Sequence, residues 1–448
     1  MMILGVDMGT TGMKMGVYRS EDDTLALERH ISRDYTIDTY NDGLFSDIDP
    51  EKWKAAFAGG CGEMSDVMAE VDVVALSGTT PGMTAMDSGG NALYPAILML
   101  DQRSRAQAQT IIDIIGIDEL MRVTGNMPVA GGCSLASILW IKDNHPEIFR
   151  KTHVFGHSNT YIARWLTGKF AIDPSSASLT ALYNTVLNDM KWNADIAKAF
   201  EISIDRMPEI IHAYESSGRV MQSRAAELGM KKEPPVVIGG NDAVLAAYSV
   251  GVRHPGEIIN VNGTCEISLV CLPKCISSRK YNVRCHVLPD RWLTLHVMNA
   301  GGIAYEWFRK LYCSEMDADT FFSEYLPEVI DTWLERESTV TYVPYLLGSR
   351  YTQKPLQAEF HGLTTSTTRE ELLAALVRGL CEYQREHLKL ISRDVSLQKT
   401  VCVTGGAVNP SMIRAKKKWM WDGEYMFEEQ SSMKGAALLG RKYLEKNR

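Results

Sequence analysis

Asp7, Gly9, Thr10, Thr11 and Lys14 fall within one short stretch near the N-terminus, Gly5-Val6-Asp7-Met8-Gly9-Thr10-Thr11-Gly12-Met13-Lys14. A Gly-Thr turn can bring backbone N–H groups and hydroxyls to a phosphate, and a carboxylate beside it can hold hydrated Mg2+. A plain hairpin turn favours the same residue types. A second group is Gly239-Gly240-Asn241-Asp242. There a carboxylate following a buried strand is suited to taking a proton from a substrate hydroxyl. Asp before a helix also suits an N-cap, and the two roles are compatible. A third group is Gly405-Gly406-Ala407 with Asn409, where glycine lets the backbone approach a base or ribose and a helix N-terminus favours phosphate. Close packing accounts for those glycines equally well. Asp101-Gln102-Arg103 ends an apolar stretch and offers a donor and an acceptor to a polyhydroxylated ligand, although a surface ion pair is the commoner use of such residues.

The elements that must carry these residues read as alternating strands and helices. Ile3–Val6 and Met13–Tyr18 form a hairpin around the Gly-Thr turn, which separates it from a P-loop, where the turn leads into a helix. Past the midpoint, Glu257–Val261 and Glu266–Val270 flank Asn262-Gly263-Thr264-Cys265, a similar hairpin, so the chain reads as two related halves. Val71–Leu76 is a strand, Leu135–Ile141 a helix face, and Val236–Ile238 a buried strand before a helix over Ala243–Val250. In the second half, Leu372–Leu390 is a long helix and Val401–Val403 a strand. This alternation predicts α/β domains, with a seam at Gly251-Val252-Arg253-His254-Pro255-Gly256.

Composition narrows the function classes. The chain has 448 residues and a formal net charge of −8, with 45% hydrophobic and 23% charged residues, which is ordinary globular usage. An acidic chain offers no electrostatic footprint for nucleic acid, so Lys416-Lys417-Lys418 reads as a solvated helix end. No apolar run approaches the roughly 20 residues of a membrane helix. The N-terminus lacks the basic segment of a signal peptide. Nine scattered cysteines without a CxxC pair predict buried, reduced thiols and a cytoplasmic location. The spacing of Cys271, Cys275, Cys285 and His286 fits none of the common zinc patterns.

Several short motifs then fall in order along nearly the whole chain. Gly5–Lys14 comes first, followed by Ser77-Gly78 and Asp101-Gln102-Arg103. They are followed by Leu139-Trp140-Ile141-Lys142, Leu166-Thr167-Gly168, Gly240-Asn241-Asp242-Ala243 and Gly263-Thr264. Gly301-Gly302 before Trp307, Pro344-Tyr345-Leu346 with Gly348, Phe360–Thr364, Gly405-Gly406-Ala407 and Gly435-Ala436-Ala437 complete the set. Together they resemble the FGGY family of carbohydrate kinases, xylulokinase-like members of the sugar kinase/Hsp70/actin superfamily.

The resemblance implies two ribonuclease H-like α/β domains with a cleft between them. Residues 1–250 would bind sugar and carry the base, and residues 251–448 would bind nucleotide. It implies ATP and Mg2+, with Gly263, Thr264, Gly302, Gly405, Gly406 and Asn409 lining the nucleotide and Thr10, Thr11 and Lys14 facing the transferred phosphoryl. Asp7 would position Mg2+ through water, and Asp242 would accept the hydroxyl proton. Thr80, Pro81, Asp101, Arg103 and Asn241 would join Asp242 around the sugar or polyol, most simply a ketose. A homodimer is compatible with the resemblance, and a regulatory nucleotide-binding relative without catalysis is the alternative. Thr80-Pro81 replaces a Met-His pair of xylulose-type members, Met99 a Trp and Ser349 a Glu. Such polar exchanges suit a ligand of different hydroxyl stereochemistry or length.

Overall fold

The computed structural model describes all residues except Asp23, Arg350, Gln353, Lys354, Pro355, Ala407, Gln430 and Arg448. Of the Gly-Gly-Ala turn expected at 405–407, Ala407 therefore lies outside the described residues.

Two six-stranded sheets organise the chain. The first contains β1 (Met2–Met8), β2 (Gly12–Glu21), β3 (Thr24–Asp34), β4 (Val73–Gly78), β5 (Ser216–Arg219) and β6 (Pro235–Asn241), in the order β5-β6-β4-β1-β2-β3. The second contains β7 (Ile258–Asn262), β8 (Glu266–Leu272), β9 (Asn282–Cys285), β10 (Trp292–Met298), β11 (Thr400–Thr404) and β12 (Glu424–Phe427), in the order β9-β10-β8-β7-β11-β12. In each, a hairpin opens the sheet, a third antiparallel strand adds beside its second arm, and two parallel strands add beside its first. The faint Gly-Thr repeat of the sequence is thus a repeat of topology, carried by an α/β fold of the ribonuclease H type. Parallel central strands are buried on both faces, and β1, β4 and β6 are buried at every residue.

The strand expected at 71–76 begins two residues later, at Val73. Asp72 stands just ahead of it, accepting the Met2 N–H on Oδ2 at 2.9 Å and donating its own N–H to Met2 O at 2.8 Å. The parallel ladder starts after it.

A middle layer joins the sheets. Helices α1 (Asp242–Ser249) and α2 (Ser432–Lys446) pack together in a core that holds Ile3, Val73 and Ala75 of the first sheet and Ile259, Leu269 and Leu293 of the second. The helices approach closely because α2 is small there: a Cβ on Gly435 would lie 2.1 Å from Leu245 O. So the last helix, second-half by chain order, shares its core with both sheets. One further departure concerns a charged group. Lys416 is not solvated but 1% exposed, its Nζ 2.7 Å from Glu266 Oε1. All nine cysteines are unpaired. Among the described residues, no helix is long and apolar enough to cross a membrane.

Candidate active site

The C-terminal ends of β1, β4 and β6 lie side by side, with Asp7 opposite Ser77 and Ser77 opposite Gly240. In parallel sheets this edge is where ligands bind, because loops and helix N-termini gather there. Ser77 Oγ donates to Asp7 Oδ1 at 2.7 Å. Burial raises the Asp7 carboxyl above its ordinary value, against the lowering influence of Ser432, Ser77 and Lys14, its cross-strand partner.

Asp242 follows directly after β6. The strand reaches it through an irregular register between Val237 and Gly240, and irregularities of this kind re-aim the residues beyond them. Gly239 makes it sterically feasible: its φ is +65°, and a Cβ would fall 1.5 Å from Leu76 O. The N-cap of α1 is Asn241 and not Asp242, since the Asn241 side chain accepts from Val244 N at 3.2 Å. That corrects the capping alternative and leaves Asp242 in the first turn. Its Oδ2 accepts from Thr79 Oγ1 at 3.0 Å, and its Oδ1 from Asn241 Nδ2 at 2.8 Å and Ala243 N at 2.7 Å. Burial, and then the like charge of Asp7, push the Asp242 carboxyl up to about 6, with Arg284 pulling the other way.

The first hairpin tip is closed by Gly9 N–H donating to Gly12 O at 2.9 Å and by Tyr35 OH donating to Gly9 O at 2.5 Å. Thr10 is half-buried there, and Thr11 and Lys14 are exposed. In the second hairpin, Gly302 N–H donates to Gly263 O at 2.8 Å, and Gly301 N–H to Thr264 O at 3.0 Å. Gly405 packs on the same tip with φ +104°, and a Cβ on it would sit 2.1 Å from Asn262 O. Beside these glycines lies a cavity of about 610 Å3 lined by Gly263, Thr264, Gly302, Gly406 and Asn409, with Ile303, Phe322 and Val408 as apolar walls. Asn409 caps the helix Pro410–Trp419 by accepting from Met412 N at 2.8 Å. The structure therefore gathers every expected nucleotide-side residue of the second half around one space, except that Gly405 shapes its floor from behind.

A second cavity, about 870 Å3, lies between the halves and is lined by Pro81, Met99, Gln102, Arg284, Asn299 and Ser349 among others. Thr80 is buried beside it, its Oγ1 accepting from Asn241 Nδ2 at 2.9 Å. Asp101 and Arg103 stand differently from both readings of the sequence. They are no surface pair: the Arg103 guanidinium is fully buried, 2.6 Å from Asp47 Oδ2 and 2.8 Å from Asp101 Oδ2, and lies 4.2 Å from the Phe45 ring centroid. Asp101 Oδ2 also accepts from Ser46 N at 2.7 Å. With their polar groups turned on one another, Asp101 and Arg103 brace the wall behind the cavity, while their neighbours Met99 and Gln102 line it.

Arg284 was missed by sequence reasoning. It comes from β9, and its Nη1 donates to Thr80 Oγ1 at 3.3 Å. No local signal marks it, because it is one arginine in a short strand and its hydrogen-bond partner Thr80 is 204 residues away.

Two hairpins of one topology thus carry different surroundings, a carboxylate pair at one and a glycine-floored cavity at the other. The profile of the FGGY family of carbohydrate kinases, N-terminal domain, matches residues 2–249. The chain belongs to the FGGY family of carbohydrate kinases. Among curated relatives of this FGGY chain, the xylulose kinase of Lactococcus lactis subsp. lactis is 26% identical over 92% of this chain and 81% of its own length. The gluconokinase of Bacillus subtilis is 25% identical over 98% of this chain and 86% of its own. Among solved structures, the xylulose kinase of Rhodospirillum rubrum superposes with a TM-score of 0.91 at 21% identity, covering 98% of this chain and 89% of that one. That likeness shows the two-lobed sugar kinase fold. The family makes the chain a carbohydrate kinase, a phosphotransferase with an alcohol acceptor.

Proposed function

We propose that this carbohydrate kinase transfers the terminal phosphoryl group of ATP to a hydroxyl of a small sugar or polyol, a ketose, with Asp242 as the general base. The observation that carries the reading is the Asp242 carboxyl itself. It is held by Thr79, Asn241 and Ala243 just past the end of β6 and raised to about 6, so it is ionised at neutral pH yet basic enough to take a proton. The acceptor oxygen forms a bond to the terminal phosphorus, the bond from that phosphorus to the bridging oxygen breaks, the proton passes to Asp242, and ADP leaves. Gly263, Thr264, Gly302, Gly406 and Asn409 hold the nucleotide, and Thr10, Thr11 and Lys14 approach the transferred group from the opposite hairpin. Positioning and charge neutralisation supply most of the acceleration in such transfers.

The residues present suit Mg2+. Among the described residues there is no cluster of three or more His, Cys, Asp or Glu, as an all-protein cage would need, but a buried carboxylate at Asp7 faces the charge of Asp242. Mg2+ keeps several waters and takes one or two carboxylates plus phosphate oxygens, which this donor set matches with Asp7 acting through water. When bound, the ion neutralises phosphate charge.

The names of the relatives, xylulose kinase and gluconokinase, favour a five- or six-carbon polyhydroxylated acceptor, and the cavity's Gln102, Asn299 and Ser349 offer polar contacts to one. A coupled ADP-release screen over ketoses, polyols and aldonates tests the reading. Ketose-dependent ADP release that D242N abolishes is expected; no acceptor raising release above the D242N level would overturn it.

A further inference from the structure

Arg284 belongs to the second half of the chain, on the edge strand β9, yet its guanidinium ends among residues of the first. The strand is fixed there by its neighbours on both sides. Asn126 accepts from Val283 N at 2.8 Å and donates to Val283 O at 2.8 Å, and Ser178 Oγ accepts from Cys285 N at 3.1 Å. Asn126 and Ser178 are themselves buried, so the backbone carrying Arg284 is clamped to the first half at residues 283 and 285.

From that clamp the side chain meets a continuous polar chain. Arg284 Nη1 donates to Thr80 Oγ1 at 3.3 Å, Asn241 Nδ2 donates to the same oxygen at 2.9 Å, and the same amide nitrogen donates to Asp242 Oδ1 at 2.8 Å. Asn241 is committed in turn at its oxygen, which caps α1, and at its backbone N–H, which donates to Ser175 Oγ at 3.0 Å. Arg284 is only 4% exposed, and the part that shows lines the interlobe cavity beside Pro81. A guanidinium is rigid, planar and always charged, so it holds a hydroxyl oxygen in one orientation better than a flexible ammonium does.

We propose that Arg284 is a positioning residue for the kinase reaction: supplied by one half of the chain and clamped to the other through Asn126 and Ser178, it fixes Thr80 and, through Asn241, the Asp242 carboxylate. The proposal rests on the reading of Asp242 as base. It also gives the Thr80 of this chain a use, as the hydroxyl that links the cross-lobe cation to the base's hydrogen-bonding partner.

A double-mutant cycle tests it, with R284M, T80V and their combination assayed for kcat and for the KM of ATP and acceptor, using D-xylulose, or D-gluconate if xylulose gives no turnover. R284M is expected to lower kcat about 10- to 100-fold, the cost of a misplaced catalytic group, while the KM of ATP stays within about twofold. The double variant should lose little beyond the larger single loss, because the two residues act as one unit. R284K should recover part of kcat, and if R284M does not fold, R284K and T80V supply the cycle. Additive losses, or an unchanged kcat with only the acceptor KM raised, would overturn the proposal and leave Arg284 a packing or binding group. Turnover retained in D242N would instead remove the base, so the two failures are told apart.

Discussion

The two hairpins occupy the same place in the same topology and carry different chemistry. One step before the tip, the first pairs Asp7 with Lys14 across the strands, whereas the second pairs Val261 with Ile267. Asp7 of the first is met by Ser77 on the adjacent strand and by the charge of Asp242, whereas the tip of the second is met by Gly301, Gly302 and Gly405, which approach it backbone to backbone. The first end is a pair of like charges whose mutual repulsion is tolerated, and the second a glycine floor between apolar walls. The contrast teaches that strand order fixes where a ligand comes, while the side chains at the strand ends decide whether the edge reacts with it or only cradles it.

The comparison breaks first at its charged end. Asp242→Asn should lower kcat by about 10^3-fold, in the range that a general base contributes, with the dissociation constant of ATP, read by titration calorimetry, almost unmoved. Chelating divalent cations with excess EDTA should silence the wild type to a similar extent, and full activity in EDTA would contradict the role of Asp7. Asp7→Asn should cost about 10^2-fold in kcat, as for loss of one strong electrostatic contact. It should also displace the pH profile. In the wild type kcat/KM should fall as the pH drops through about 6, where Asp242 takes up its proton. Because the charge of Asp7 helps to raise that value, its removal moves the acid limb to lower pH; a limb that stays or rises would mean the two carboxylates do not interact.

The glycine end is sharpened by Gly405→Ala. Its φ of +104° and the 2.1 Å approach to Asn262 O leave no room for a methyl group, so stability should fall by about 1–3 kcal/mol and ATP should bind about tenfold more weakly, with acceptor KM unaffected. A matched effect on both substrates would erase the division of labour. The smallest expected effect returns to Asp242. Its folded carboxyl lies above the ordinary value of 3.8, so ionising it costs stability as the pH rises through that window. Asp242→Asn should therefore melt about 2 °C higher at pH 8 and no higher at pH 4, by calorimetry.

Much of the site was legible because its parts are short and local. A Gly-Thr turn between two apolar runs predicts a hairpin, and the Gly-Gly-Asn-Asp run after Val236–Ile238 predicts a strand-to-helix turn, whatever lies around them. Less legible was which polar residue caps the helix. Asn241 and Asp242 are equally good caps by type, and the register irregularity at Gly239 and Gly240 decided between them. Lys416 was misread for a related reason. A run of three lysines looks solvated, but helical periodicity turns only the first of them inward, toward Glu266.

By itself the amino-acid order determined the hairpins, the glycine turns, the carboxylates beside them and the expectation of two related α/β halves, since each depends on neighbours a few residues apart. Tertiary structure alone decided that Asp101 and Arg103 face each other behind a wall, that the last helix shares a core with both sheets, and that Arg284 reaches Thr80. Those outcomes depend on which surfaces meet across long separations, and a burial or a charge pairing made there leaves no periodic trace in the chain that folds into it.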